Sequence, residues 1–185
     1  MSGSTPSQTV GPYLHIGLEW EDGAYAAEPE TPGAFWLHGR LFDGAGEPIA
    51  DGMIETWQAG PEGHFDHPDD PRGRRETVGF RGFGRASTDA EGAWAIHTLK
   101  AGPLPAGGQE TEAPHVDVSV FARGLLNRLV TRIYFADEEA GNAADPVLNS
   151  VDADRRHTLI AKSSERGFEF DIRLQGEDET VFFNV

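Results

Sequence analysis

His115 and Asp117 stand two apart in the run Glu112-Ala113-Pro114-His115-Val116-Asp117-Val118-Ser119-Val120. The alternating valines mark an extended strand. Side chains i and i+2 of a strand share a face, about 6–7 Å apart along the chain. An imidazole and a carboxylate so placed can reach one metal ion. With a third ligand from another strand, His97, His64 or His67, they would resemble an iron site of two histidines and one carboxylate. The plainer reading makes His115 a buried, hydrogen-bonded histidine and Asp117 a surface acid. A lone His-x-Asp pair does not separate the two.

Three other stretches hold groups that could bind or react. His64-Phe65-Asp66-His67-Pro68-Asp69-Asp70 concentrates imidazoles and carboxylates. Its aspartates do not have calcium-loop spacing, and Pro68 and Pro71 interrupt it, so it reads as a solvated acidic loop. In Gln8–Leu18, Gly11-Pro12 marks a turn beside Tyr13. That tyrosine either lines a pocket with ring and hydroxyl or packs on its own core. Arg123 follows an apolar strand and precedes Gly124, so it sits where a rigid scaffold ends. It either grips a carboxylate in a bidentate fork or is an ordinary solvated arginine.

The elements that must position these groups are short strands. Gly at 23 and Pro at 12 punctuate a chain of 185 residues every few positions, which favours strands and turns over long helices. Ala34–Ala59 and Gly82–Leu99 each read as strand, turn, strand, around Asp43-Gly44-Ala45-Gly46 and Thr88–Gly92. His115–Ala122 and Arg128–Ala136 form another strand pair, and Phe168–Leu174 and Thr180–Val185 close the chain. Strands so spaced predict an all-β sandwich or barrel. One helix is expected near 152–162, from the Asp152 start and the spacing of Leu159 and Ile160.

Composition bounds the partners. Hydrophobic residues at 38% and charged residues at 25% are globular values, and the length suits one domain with its own core. The net charge of -16 and the lack of a basic stripe argue against nucleic acid and anionic membranes. With no cysteine, disulfides, thiolate zinc sites and thiol catalysis are excluded. The N-terminus lacks the basic and apolar regions of a signal peptide, and no apolar run approaches the ~20 residues of a span, so a soluble cytoplasmic protein is expected.

In order and spacing, these stretches together resemble the intradiol ring-cleavage dioxygenases. They include TPSQTVGPYLHIGL, LHGRLFDGAGEPIADGMIETWQAGPEG, FGRASTDAEGAWAIHTLKAGP, APHVDVSVFARG, TRIYFADE, RRHTLIAK and FEFDIRLQGEDETVFF. The resemblance implies a β-sandwich over 1–185, with an N-terminal arm over 1–18 that packs on a partner chain and one or two short helices. Catalytic chains of the family hold a ferric iron with two tyrosines and two histidines. The matching positions here are Phe65, Leu104, His115 and Asp117, so three of the four ligands are replaced. Phe65 and Leu104 have no lone pair, and a hard ferric ion needs the phenolate oxygens.

The resemblance therefore implies a non-iron-binding α-type chain in a two-chain dioxygenase, inactive alone. Fe(III) would be held by the catalytic β chain. The implied reaction is cleavage of protocatechuate by dioxygen, with a related catechol such as hydroxyquinol, or a metal-free scaffold role, as alternatives. Thr9, Gly11, Pro12, Tyr13 and Arg123 would form part of the substrate-pocket wall, in a higher α–β oligomer.

Overall fold

The computed structural model describes residues 17–184. Eleven strands run in chain order: β1 Phe35–Phe42, β2 Met53–Trp57, β3 Phe83–Ser87, β4 Ala93–Thr98, β5 Leu104–Gly107, β6 Glu110–Glu112, β7 His115–Phe121, β8 Leu129–Phe135, β9 Ile160–Ser164, β10 Gly167–Glu169 and β11 Ile172–Arg173. Two short helices, α1 Glu139–Ala144 and α2 Pro146–Asn149, lie between β8 and β9. The all-β expectation holds.

The strands make two layers joined at a corner. One layer holds β4 antiparallel to β1, with β10 and β11 parallel to β1. The other runs β8, β7, β2, β3, all antiparallel. β9 belongs to both: Ile160 and Ala161 pair parallel with Tyr134 and Phe135, while Lys162, Ser163 and Ser164 pair with β10. β5 and β6 form a separate hairpin.

The two strand-turn-strand units are real, but neither is a paired hairpin. β1 pairs with β4 and β2 with β3, so each unit crosses between layers. Close backbone approach demands glycine at two points. A Cβ on Gly52 would lie 2.4 Å from the Leu41 side chain, and one on Gly39 would lie 1.8 Å from the Phe170 carbonyl oxygen. Hydrogen to these backbones is all the space allows.

Alternation sorts the side chains. Val116, Val118 and Val120 of β7 and Ile133 and Phe135 of β8 face the inter-layer core, with Leu37, Leu41, Ile54, Trp94, Ile96 and Ile172. Each such burial is worth about 1.5–3 kcal/mol. The same alternation turns His115, Asp117 and Ser119 of β7, with Arg132 and Tyr134 of β8, to the outer face. There Tyr134, Ala113, Leu148, Val151 and Leu159 form a second, smaller core under the helices.

The helix expected over 152–162 is replaced. Arg156–Leu159 forms a single 3-10 turn, and Ile160 already starts β9. The free edge of β8 takes the Ile160 and Ala161 backbone as a parallel partner, and this pairing overrides a weak local helical pattern. The two helices that do form begin earlier. α2 is capped by Asp145, whose carboxylate accepts from the Leu148 N–H, with Pro146 in its first turn.

Candidate functional site

Register brings the four family-matched positions to one end of the outer face. His115 pairs with Tyr134, and Asp117 pairs with Arg132 on one side and Trp57 on the other. Phe65 stacks on Trp57, with ring centroids 5.6 Å apart. Leu104 pairs with Glu112 in the β5–β6 hairpin, and Glu112 lies three residues before His115. Phe65 and Leu104 thus bring hydrocarbon to a face where His115 and Asp117 bring donors.

His115 is buried, as its plainer reading expects. Its Nδ1 lies 2.7 Å from the Ala113 carbonyl oxygen. A carbonyl can only accept, so Nδ1 donates to it, which leaves Nε2 to face the carboxylates. That nitrogen points at Glu112 Oε2 at 3.5 Å and Asp117 Oδ1 at 4.0 Å. The same two oxygens are held by Arg132: Nη1 donates to Glu112 Oε2 at 2.6 Å and Nε to Asp117 Oδ1 at 3.0 Å. Burial opposes the Arg132 charge, but Asp117, the Tyr134 hydroxyl and Glu112 outweigh it, and its pKa is raised above the ordinary value. Burial likewise pushes the Tyr134 phenol upward, so it stays protonated. The Tyr134 hydroxyl donates to Asp145 at 3.1 Å.

This donor set does not fit ferric iron. Two positions offer no lone pair, the third is a carboxylate, and an arginine already binds that carboxylate. Among the described residues, no group of three His, Cys, Asp or Glu side chains is arranged to hold a metal. His97 and His64 do not approach as third ligands. His97 Nδ1 lies 2.9 Å from the Ala27 carbonyl, and the His64 Nδ1 is buried without a hydrogen-bond partner.

The loop 64–70 is not simply solvated. The Asp70 side chain is buried and organises its own turn, accepting from the Phe65 N–H at 3.0 Å and the Arg72 N–H at 2.9 Å. It also takes both Arg72 Nε and Nη2. The Arg72 guanidinium and these amides hold its carboxyl well below the usual carboxylate range. Asp66 pairs with Arg74 and Glu62 with Arg75.

Arg123 lies beyond the other end of β7, and it is neither free nor buried. Its Nε meets Asp51 Oδ2 at 2.7 Å, and its side chain is 80% exposed. The pair extends the ladder that sets Met53 beside Phe121. Eight residues separate Arg123 from His115, roughly 20 Å or more of extended chain. Arg123 therefore cannot act at the His115 face of its own chain. Thr9, Gly11, Pro12 and Tyr13 lie outside the described residues. Sequence reasoning missed Arg132, Glu112 and Asp145. For Arg132 the only cue was a charge within an apolar strand, and its meeting with Glu112 depends on register; for Asp145 the cue was the Asp-Pro start of α2.

The family model described as Dioxygenase matches residues 12–176. The chain belongs to the intradiol dioxygenases. It is 42% identical to the protocatechuate 3,4-dioxygenase alpha chain of Burkholderia cepacia, over 98% of this chain and 97% of that one. It is also 34% identical to the protocatechuate 3,4-dioxygenase beta chain of the same species, over 77% of this chain and 64% of that one. The structure of an intradiol ring-cleavage dioxygenase from Tetranychus urticae superposes with a TM-score of 0.61 at 17% identity, covering 97% of this chain and 100% of that one. That last likeness supports the fold alone. No helix among the described residues is long and apolar enough to cross a membrane.

Proposed function

We propose that this chain is the α, non-iron-binding subunit of a protocatechuate 3,4-dioxygenase. The observation that carries the reading is the pair of hydrocarbon side chains, Phe65 and Leu104, at two ligand positions of an otherwise intact intradiol fold. The strong similarity to an alpha chain supports it. Fe(III) then belongs to a catalytic β chain, and the pair works as a higher α–β oligomer in the cytoplasm. The whole chain is one domain, with residues 1–18 as an arm on the partner. The reaction inserts both atoms of dioxygen into protocatechuate and opens the ring between the hydroxylated carbons, giving 3-carboxy-cis,cis-muconate.

This chain's part is to complete the partner's pocket. Arg123 stands too far from the His115 face to serve it, which favours a role at a neighbouring chain's site. Protocatechuate is anionic, and an assembly carrying -16 per α chain needs fixed positive charge to hold it. Arg123 supplies that charge, and on docking its exposed guanidinium becomes partly desolvated, where it binds a carboxylate more strongly than in water. Thr9, Gly11, Pro12 and Tyr13 are placed on the same wall by family resemblance.

The test is co-expression with a β-type chain, iron assay of each separated chain, and turnover with protocatechuate, catechol and hydroxyquinol. One iron per α–β pair, all of it in β, is expected, with no turnover by α alone. Arg123→Ala should weaken protocatechuate binding about ten- to hundredfold, since a charge-assisted hydrogen bond is worth roughly 1.5–3 kcal/mol. Catechol, which lacks the carboxylate, should change much less, and Arg123→Lys should recover only part. Stoichiometric ferric iron in the isolated α chain, or a protocatechuate preference indifferent to Arg123, overturns the reading.

A further inference from the structure

The outer face of β7 poses an electrostatic problem that the proposed pocket role does not touch. Three polar groups meet there: His115 Nε2, Glu112 Oε2 and Asp117 Oδ1, the two oxygens within 4.0 Å of the nitrogen. The imidazole is 3% exposed, and its other nitrogen is spent on the Ala113 carbonyl. Two carboxylates do not gather around one buried imidazole without a cation. One imidazole with two carboxylates is a donor set that suits borderline divalent metals, and an Nδ1–H held by a backbone carbonyl is how proteins orient a metal-binding imidazole.

We propose that the Arg132 guanidinium is the resident cation of this cluster, a tethered replacement for a metal ion. It contacts both carboxylates at 2.6 and 3.0 Å, with the protonated Tyr134 phenol beside it. Its charge comes from its own strand, whose register sets Arg132 opposite Asp117. A guanidinium cannot be chelated away or exchanged, and its fork satisfies two carboxylates at once. Arg132 therefore keeps the face assembled without metal and closes it to metal. This rests on the reading of the chain as non-iron-binding and deepens it: iron is excluded by an occupying cation as well as by lost ligands. The corollary is that removing the guanidinium leaves a site fit for a small divalent ion.

The experiment compares the parent assembly, Arg132→Met, Arg132→Lys and Arg132→Met/Asp117→Asn, each with its partner chain. Each is titrated with Zn2+ or Co2+ alone and followed by calorimetry, Co2+ absorption and melting temperature. Arg132→Met should melt lower than the parent and take up one Co2+ per α chain beyond any parental uptake. Its melting temperature should rise with added Zn2+ where the parent's does not. Arg132→Lys, which keeps a cation, should take up none. The double variant should melt above Arg132→Met in the absence of metal, because one uncompensated carboxylate is gone, and it should lose the Co2+ uptake. This ranking also serves if Arg132→Met folds too poorly to titrate.

The proposal is overturned if Arg132→Met melts with the parent and ignores both metals. It also falls if Arg132→Lys takes up Co2+ as Arg132→Met does, or if removing Asp117 brings no recovery. Because the readouts are metal uptake and melting in the α chain, they fail independently of any result on protocatechuate turnover.

Discussion

Asp145→Ala should be among the most damaging single changes outside the main core. The Asp145 side chain is 0% exposed and accepts three hydrogen bonds. Oδ2 takes the Ala113 N–H at 2.7 Å, and Oδ1 takes the Leu148 N–H at 2.7 Å and the Tyr134 hydroxyl at 3.1 Å. One carboxylate thus caps α2, pins the stretch entering β7 and holds the phenol next to Arg132. Truncation leaves two backbone N–H groups buried without partners, at about 1–3 kcal/mol each. The Leu148 N–H share includes the lost helix cap, itself worth ~1 kcal/mol. Tyr134 loses less, because Arg132 remains beside it. The total is about 3–5 kcal/mol, a large share of the 5–15 kcal/mol that typically separates folded from unfolded chains. In a urea melt at fixed concentration, a slope of about 2–3 kcal/mol/M lowers the midpoint by ~1–2 M with the slope unchanged. Asp145→Asn keeps one acceptor but turns an NH2 group toward one of the two amides, so it should recover only a minor part. A midpoint shift below about 0.4 M for Asp145→Ala, equivalent to ~1 kcal/mol, would refute the claim that these bonds hold the outer face together.

The remaining expectations follow from single contacts. Asp51→Asn removes the partner that holds Arg123; an exposed pair is worth about 0–1 kcal/mol, so protocatechuate should bind up to about fivefold tighter in steady-state or equilibrium titrations, and weaker binding would contradict the competition. Gly39→Ala drives a methyl into the Phe170 carbonyl, and a cost of roughly 3 kcal/mol or more should appear as loss of soluble protein or a sharply lower melting temperature. The Asp70 carboxyl has a folded pKa depressed below its unfolded one. Its contribution is therefore present above the ordinary carboxylate range and is lost as pH falls through the lower folded value. Hydrogen exchange over residues 64–75 should stay slow at pH 5 and accelerate only in strong acid, whereas Asp70→Asn should be fast at both; identical profiles would remove Asp70 as the organiser of the turn.

What the sequence determined is the set of local choices. Alternating valines around His115, Gly-rich turns and the absence of long apolar periods dictate short strands, because side-chain period and turn chemistry are properties of neighbouring residues. That Phe65 and Leu104 offer no lone pair was equally legible, since their side chains are hydrocarbon in any fold; that they stand at ligand positions is what the family resemblance implies. Tertiary structure decided which strands pair and hence which charges meet. Nothing local says that the strand after Asp43–Gly46 leaves for the other layer, or that Ile160 joins the edge of β8 rather than a helix. Arg132 reads along the chain as one polar residue in an apolar strand. Only the register that sets it opposite Asp117, beside Glu112 and His115, makes it a cation among donors. Arg123 was visible as a strand-end arginine, yet its Asp51 partner lies 72 residues away in sequence and meets it only through the β2–β7 ladder. Such contacts depend on long-range closure of the sheets, whose entropy and packing belong to the whole chain.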